Sequence, residues 1–203
     1  MLDTNLIKRC ANPTLTPPIV EQFVAAVGSD DPLAVTVKQG GRLILLPKSR
    51  TSDEALQTSR QYVASAIVRI GVTQYPAGIG VKDPSQLHGE LFDACENLRI
   101  GTTMFAKIVR IVSKWYGNPK DKNALPQILD DAFDAWKTGY FDGRSVFDAP
   151  DPGRTQSGPG PVDPDEGEAP SEEPPTGGPS SASKIELENA GIRIDLSRID
   201  GRN

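Results

Sequence analysis

The chain has 203 residues, with 22 Lys+Arg against 27 Asp+Glu and a formal charge of −5. That balance excludes the basic stripe on which charge-driven nucleic-acid binding depends, and no apolar run approaches the roughly 18 residues that a membrane span needs. One histidine and two distant cysteines make no metal-ligand pattern, and neither a metal nor an organic cofactor is expected.

The N-terminus, Met1-Leu2-Asp3-Thr4-Asn5-Leu6-Ile7-Lys8, has no long apolar stretch and no small-residue cleavage site, so it does not read as a secretory signal. The sequence as given therefore points to the cytoplasm, with the periplasm as the alternative if another export route operates. Cys10 and Cys95 fit either two reduced thiols or one disulfide after export. Pro17-Pro18 suit the first turn of a helix. Val20, Phe23, Val24 and Val27 then recur on one helical face, and Gly28 stops the helix. Val35-Thr36-Val37 and Leu43-Ile44-Leu45-Leu46, joined through Lys38-Gln39-Gly40-Gly41-Arg42, read as a small β-hairpin over residues 35–46 closed by Pro47. Ser52-Asp53-Glu54-Ala55 opens a helix to about Ala66. Val68 to Val72 is apolar but too short to assign. Leu98 to Trp115 is the clearest helix, with a stripe of Leu98, Phe105, Ile108, Val109 and Val112. Gly117-Asn118-Pro119 breaks it, and Ala124 to Thr138 forms the last helix. Trp115, Tyr116, Trp136, Tyr140 and Phe141 read as helix-packing core.

Charge divides the chain. Residues 1–147 hold 17 basic and 15 acidic side chains, and residues 148–203 hold 5 and 12. Nine of the 18 prolines fall between Pro150 and Pro179, where aromatic residues are absent. Such a composition cannot bury enough apolar surface to offset its ordering entropy. The expected organisation is a helical domain over 1–147, a disordered Pro/Gly/acidic linker over 148–183, and a short tail over 184–203. In the tail Ile185, Leu187, Ile192, Ile194, Leu196 and Ile199 restore apolar character, as either a docking element or a weakly ordered end.

Several segments recur in an order that resembles the small lytic transglycosylases of type IV secretion systems. They are Val27-Gly28-Ser29-Asp30-Asp31-Pro32, Gly40-Gly41-Arg42-Leu43, Gly71-Val72-Thr73-Gln74-Tyr75-Pro76 and Asp93-Ala94-Cys95-Glu96-Asn97-Leu98-Arg99. The resemblance covers about residues 10–115. It implies a lysozyme-like, mainly α fold with a small β-hairpin, a sugar cleft lined near Gln74 and Tyr75, and a disulfide between Cys10 and Cys95. It also exposes a gap. That family places a catalytic glutamate at the end of the first core helix, and Gly28 stands there, followed by Ser29. A closer resemblance runs over residues 6–152 through Lys114-Trp115-Tyr116-Gly117-Asn118-Pro119 and Ala135-Trp136-Lys137-Thr138-Gly139-Tyr140-Phe141. These segments look like the TraH family of Ti-type plasmid conjugation, which implies a role in conjugal transfer.

A general acid must lie within hydrogen-bond reach of the bond it protonates. Glu21 is seven residues before Gly28, roughly 10 Å along a helix axis at about 1.5 Å per residue. Asp30 and Asp31 are nearer, and either is a catalytic candidate only with a shifted substrate; otherwise both are solvated loop acids. Glu54 reads as a first-turn residue favoured by the helix dipole, and His88 as a lone surface histidine. Gln74 is either a relic of a cleft wall or a turn glutamine bonding backbone. Arg42 either holds the hairpin or is a polar surface residue. The expected function is that of a conjugal-transfer accessory, a catalytically inactive binding module whose partner is peptidoglycan or another conjugation protein. The alternative is an active lytic enzyme that uses Asp30 or Asp31.

Overall fold

Two helices carry the main core because their apolar residues fall at helical spacing and face each other. The computed structural model describes residues 3–153. Helix α4 (Ala94–Trp115) buries Leu98, Phe105, Ile108 and Val112, and α5 (Leu125–Thr138) buries Ile128, Leu129, Phe133 and Trp136. A third helix, α2 (Pro17–Val27), adds Val20, Phe23 and Val24. Phe23 stacks on Phe105 with ring centroids 4.0 Å apart and meets Trp136 edge-on at 5.0 Å. Aromatic pairs in these geometries add about 0.5–1.5 kcal/mol each beyond the area they bury. The short N-terminal helix α1 (Thr4–Cys10) is capped by Asp3, whose carboxylate accepts from the Asn5 amide at 2.9 Å. Its Ile7 enters the same core.

A second, smaller core lies under an antiparallel sheet. The strands are β1 (Val35–Gln39), β2 (Arg42–Ile44), β3 (Ile67–Ile70) and β4 (Tyr75–Pro76), in the order β2-β1-β3-β4. Gly40 and Gly41, with φ of +56° and +81°, make the two-residue turn between β1 and β2. Positive φ at both central positions is what a tight hairpin with natural twist requires. The inner face of the sheet presents Val37, Val68 and Ile70 to Ala55 of α3 (Ser52–Tyr62) and to Leu87 and Phe92 of two short 3₁₀ turns. Thr51 caps α3 by accepting from the Glu54 amide, and Glu54 accepts from the Arg50 amide at 2.7 Å. Glu54 is thus a capping residue, as its place in the first turn suggests.

The expectation of a mainly helical domain with one hairpin is corrected here. About half of the described residues are helical, and the hairpin is one half of a four-stranded sheet, so the fold is mixed α/β. The missed strand, β3, pairs with β1 across α3, and four residues are too few for a period that distinguishes strand from helix. A second correction concerns the aromatics. Trp136 is buried as expected, but Trp115 is 57% exposed and Tyr140 62% exposed. Trp115 is the last residue of α4, and Tyr140 follows the end of α5.

After α5 the chain turns at Gly139, which is left-handed with φ +82°, and forms a small hairpin of β5 (Tyr140–Phe141) and β6 (Arg144–Ser145). It then returns to α4. The Lys107 ammonium donates to the carbonyls of Phe147 and Ala149, both at 2.8 Å, and Arg110 holds Asp151 through two bonds of 2.8 and 2.6 Å. The linker beyond residue 153 and the tail over 184–203 lie outside the described residues.

Candidate functional site

The segments that resemble a sugar cleft converge in space, at a tightly packed seam. The C-terminus of α2 runs against the turn that follows β3. The Ser29 amide donates to the Val72 carbonyl at 3.0 Å. A Cβ built on Gly28 would lie 2.3 Å from the Val72 carbonyl oxygen and 2.7 Å from that of Val24. Gly28 has φ −92°, which any residue can adopt. Its missing side chain is therefore a matter of contact with neighbouring backbone, with no role for a special torsion.

The turn itself, Gly71-Val72-Thr73-Gln74, is buried at every residue. Asn97, one turn into α4 and fully buried, organises it. Its side-chain oxygen accepts from the Thr73 amide at 2.9 Å and the Thr73 hydroxyl at 2.8 Å. Its side-chain nitrogen donates to the carbonyls of Ile70 at 3.1 Å and Leu91 at 2.9 Å. All of its hydrogen-bonding capacity toward protein is thereby used, as burial of an amide demands. Gly71 and Gly101 lack side chains where Asn97 and Thr73 press closest, a Cβ at either meeting them at 2.3 and 2.2 Å respectively. From the other side the Trp136 indole donates to the Thr73 carbonyl at 3.1 Å. Gln74 has φ +50°, and its side-chain amide donates to the Gly71 carbonyl at 3.0 Å. Of its two sequence readings, this geometry is that of a turn glutamine bonding backbone. Tyr75 follows in β4, half-buried, and burial pushes its phenol above the ordinary tyrosine value.

Arg69 fastens the outer side of the same turn. Its guanidinium donates to the carbonyls of Gln74 at 3.3 Å, Trp136 at 2.6 Å and Lys137 at 3.0 Å. It lies against the rings of Trp136 and Phe147. Burial lowers its pKa to about 10. The last two carbonyls belong to the final turn of α5, where a cation is favoured by the helix dipole.

The candidate acids lie outside this seam. Asp31 accepts from the Leu33 amide at 3.0 Å and pairs with Lys48 at 3.2 Å, so it is committed to the loop. Asp30 is exposed and, with Thr4, Glu21, Gln22, Gly28 and Ser29, borders an open cavity of about 580 Å³ at the C-terminal end of α2. The Ser29 hydroxyl accepts from the Asp31 amide at 3.1 Å. His88 is exposed, and Arg42 stands exposed at the hairpin tip. No group of three potential metal ligands occurs among the described residues. No described helix is long and apolar enough to cross a membrane. Cys10 and Cys95 are joined by a disulfide with Cα atoms 5.1 Å apart.

Sequence reasoning missed Asn97 and Arg69. Asn97 could have been suspected as a polar residue one turn before Gly101 on the apolar face of α4. Arg69 carried no comparable signal, because its acceptors lie 67 and 68 residues away.

Comparison with known proteins supplies the family. The TraH_2 family profile matches residues 1–201. The chain belongs to the TraH_2 family. A relative in Sinorhizobium fredii (strain NBRC 101917 / NGR234), the uncharacterized protein y4dP, is 53% identical over 201 residues, covering 99% of this chain and 100% of the relative. No solved structure matches. Membership in TraH_2 ties the chain to conjugal transfer.

Proposed function

We propose that this TraH_2 protein serves conjugal transfer by binding, as a transglycosylase-like domain without hydrolytic activity. The observation that carries the reading is the contact at Gly28. Where lytic transglycosylases place a glutamate, the nearest carbonyl oxygen leaves no room for even a Cβ. Proton delivery by a positioned acid typically contributes 10²–10⁴-fold to glycosidic cleavage, and nothing at this position can supply it. The turn that would line the cleft is engaged by Asn97, Trp136 and Arg69, which occupy the amide and carbonyl of Thr73 and the carbonyl of Gln74. On this reading the ligand is another transfer protein or peptidoglycan, held by a surface other than the seam.

One observation favours a second reading. Asp30 and Glu21 border the same cavity, so an active lytic enzyme would use that end of α2, with Asp30 as its acid.

A mating assay tests the functional class. In-frame deletion in the native plasmid should lower transfer frequency, and the wild-type protein in trans should restore it. Equal transfer with and without the protein would refute the conjugal role.

A further inference from the structure

The outer face of the four-stranded sheet meets α5 through Arg69 at the β3 end, whereas the free edge at β2 has no partner among the described residues. Of six large hydrophobic residues left exposed among those described, two belong to this sheet, Leu43 at 61% and Ile67 at 57%, and a third, Leu45 at 91%, directly follows β2. The register sets Leu43 opposite Lys38, and Lys38 opposite Ile67. Leu43, Lys38 and Ile67 therefore form one row across β2, β1 and β3 on the face away from α3, with the lysine between the two apolar side chains, and Leu45 lies two residues beyond Leu43 along the edge chain. Single exposed apolar residues are ordinary on a soluble protein, whereas a cluster on one face marks an interaction surface.

The backbone supplies a second observation. β2 ends the sheet. With a two-residue turn, Gln39 and Arg42 exchange both backbone bonds, and bonded pairs then alternate along the hairpin. Arg42 and Ile44 thus aim their amides at β1, while Leu43 aims its N–H and C=O outward. Among the described residues nothing bonds to either group. Proteins blunt such edges with charge, proline, bulges or a covering element. Here the strand is short and Pro47 follows, yet the outward position is a leucine.

Charge specifies the partner. Between Pro32 and Ser52 the chain has Lys38, Arg42, Lys48 and Arg50 and no carboxylate, with Arg42 in β2 itself, Lys38 beside it in β1, and Lys48 and Arg50 on the chain that follows. Only Lys48 among these forms an ion pair with a described residue.

We infer that the free edge of β2 is the docking site for an extended segment of another protein in which apolar and acidic side chains alternate. The segment adds as a fifth strand. Its backbone bonds to the outward N–H and C=O of Leu43, its apolar side chains cover Leu43 and Leu45, and its carboxylates lie beside Arg42 on the opposite face. A second copy of this chain is a poor occupant, because edge-to-edge pairing of the same basic hairpin brings like charges together. The inference rests on the binding reading above and names the surface through which that reading operates.

The test uses the full chain, isotope-labelled and titrated with a ten-residue capped peptide alternating valine and glutamate. The control is the same peptide with lysine for glutamate. Amide shifts confined to Arg42–Leu46, slower exchange at the Leu43 amide, and binding about tenfold weaker for the lysine peptide would support the inference. Leu43→Pro removes the outward donor without removing a bond to β1, and Leu45→Glu keeps the donor but sets a charge against the segment's apolar side chains. Each should weaken binding about tenfold with an unchanged circular dichroism spectrum. Should Leu43→Pro fail to fold, the wild-type peptide pair and Leu45→Glu still decide. No shifts, shifts elsewhere, equal binding of both peptides, or a dimer in sedimentation that Leu45→Glu abolishes would each overturn it. Mating separates the two levels. If deletion lowers transfer and Leu45→Glu does not, the docking site is wrong and the conjugal role stands. If deletion has no effect, the conjugal role fails while the peptide titration still judges the site.

Discussion

At the residue scale, glycine at position 28 is demanded by a neighbouring carbonyl. A methyl group there would lie 2.3 Å from the Val72 oxygen, so α2 and the 71–74 turn would have to separate. Overpacking of this kind costs about 1–3 kcal/mol. Gly28→Ala should accordingly lower the thermal midpoint, measured by calorimetry, by several degrees. Gly28→Glu should lower it further and gain no lytic activity, because the added carboxylate would have to open the seam before meeting any substrate. Asn97 predicts a larger effect. Asn97→Ala would strand the buried donors and acceptors of Ile70, Thr73 and Leu91, and unsatisfied buried groups cost about 1–3 kcal/mol each. A loss of about 3 kcal/mol or more in urea denaturation is expected, and Asn97→Asp should rescue only part, since a carboxylate cannot donate to the two carbonyls. At this scale the sequence was legible by halves. Gly28 was readable as a helix stop, but the contact that makes it glycine lies 44 residues on, at Val72. The two readings of Gln74 were inseparable without the backbone, since both place a polar side chain in a turn.

Elements were legible in proportion to their length. The stripes of α4 and α5 recur over more turns than any other in the chain, and both helices run close to the residues their periodicity marks. α1 escaped because seven residues show barely two turns of pattern, and a helix so short has little stability of its own. Its anchor is the disulfide from its last residue to the second residue of α4, closing a separation of 85 residues. In a chain-entropy account a loop of this size contributes roughly 4 kcal/mol. Reduction, or Cys10→Ser with Cys95→Ser, should cost about 2–4 kcal/mol. Hydrogen exchange should then show Thr4–Cys10 losing protection before α4 or α5. Arg69 fastens another pair of elements, joining the end of β3 to the end of α5. Arg69→Met keeps most of the stem but leaves three carbonyls without their donor. It should cost about 2–4 kcal/mol in denaturant melts. Arg69→Lys should restore little, because one ammonium cannot span acceptors that a planar fork reaches together.

On the scale of the whole molecule, composition and motif order carried the family and the general architecture of a helical core beside a small sheet. They did not carry the sheet's full extent, nor the tight packing of the 71–74 turn against α2 and α4. Both depend on contacts between residues far apart in sequence. The same distance problem explains why the resemblance to lytic transglycosylases did not foretell the seam. Motifs record which residues are present, while the space between them is decided by Asn97, Gly101 and Trp136 acting from two other helices. The account therefore turns on one activity. Purified full-length protein should be incubated with isolated peptidoglycan beside an active lytic transglycosylase, and released muropeptides separated by chromatography. Release indistinguishable from buffer is expected for the wild type and for Gly28→Glu. Muropeptide release by the wild type that is lost in Asp30→Asn or Asp31→Asn would contradict it and establish an enzyme.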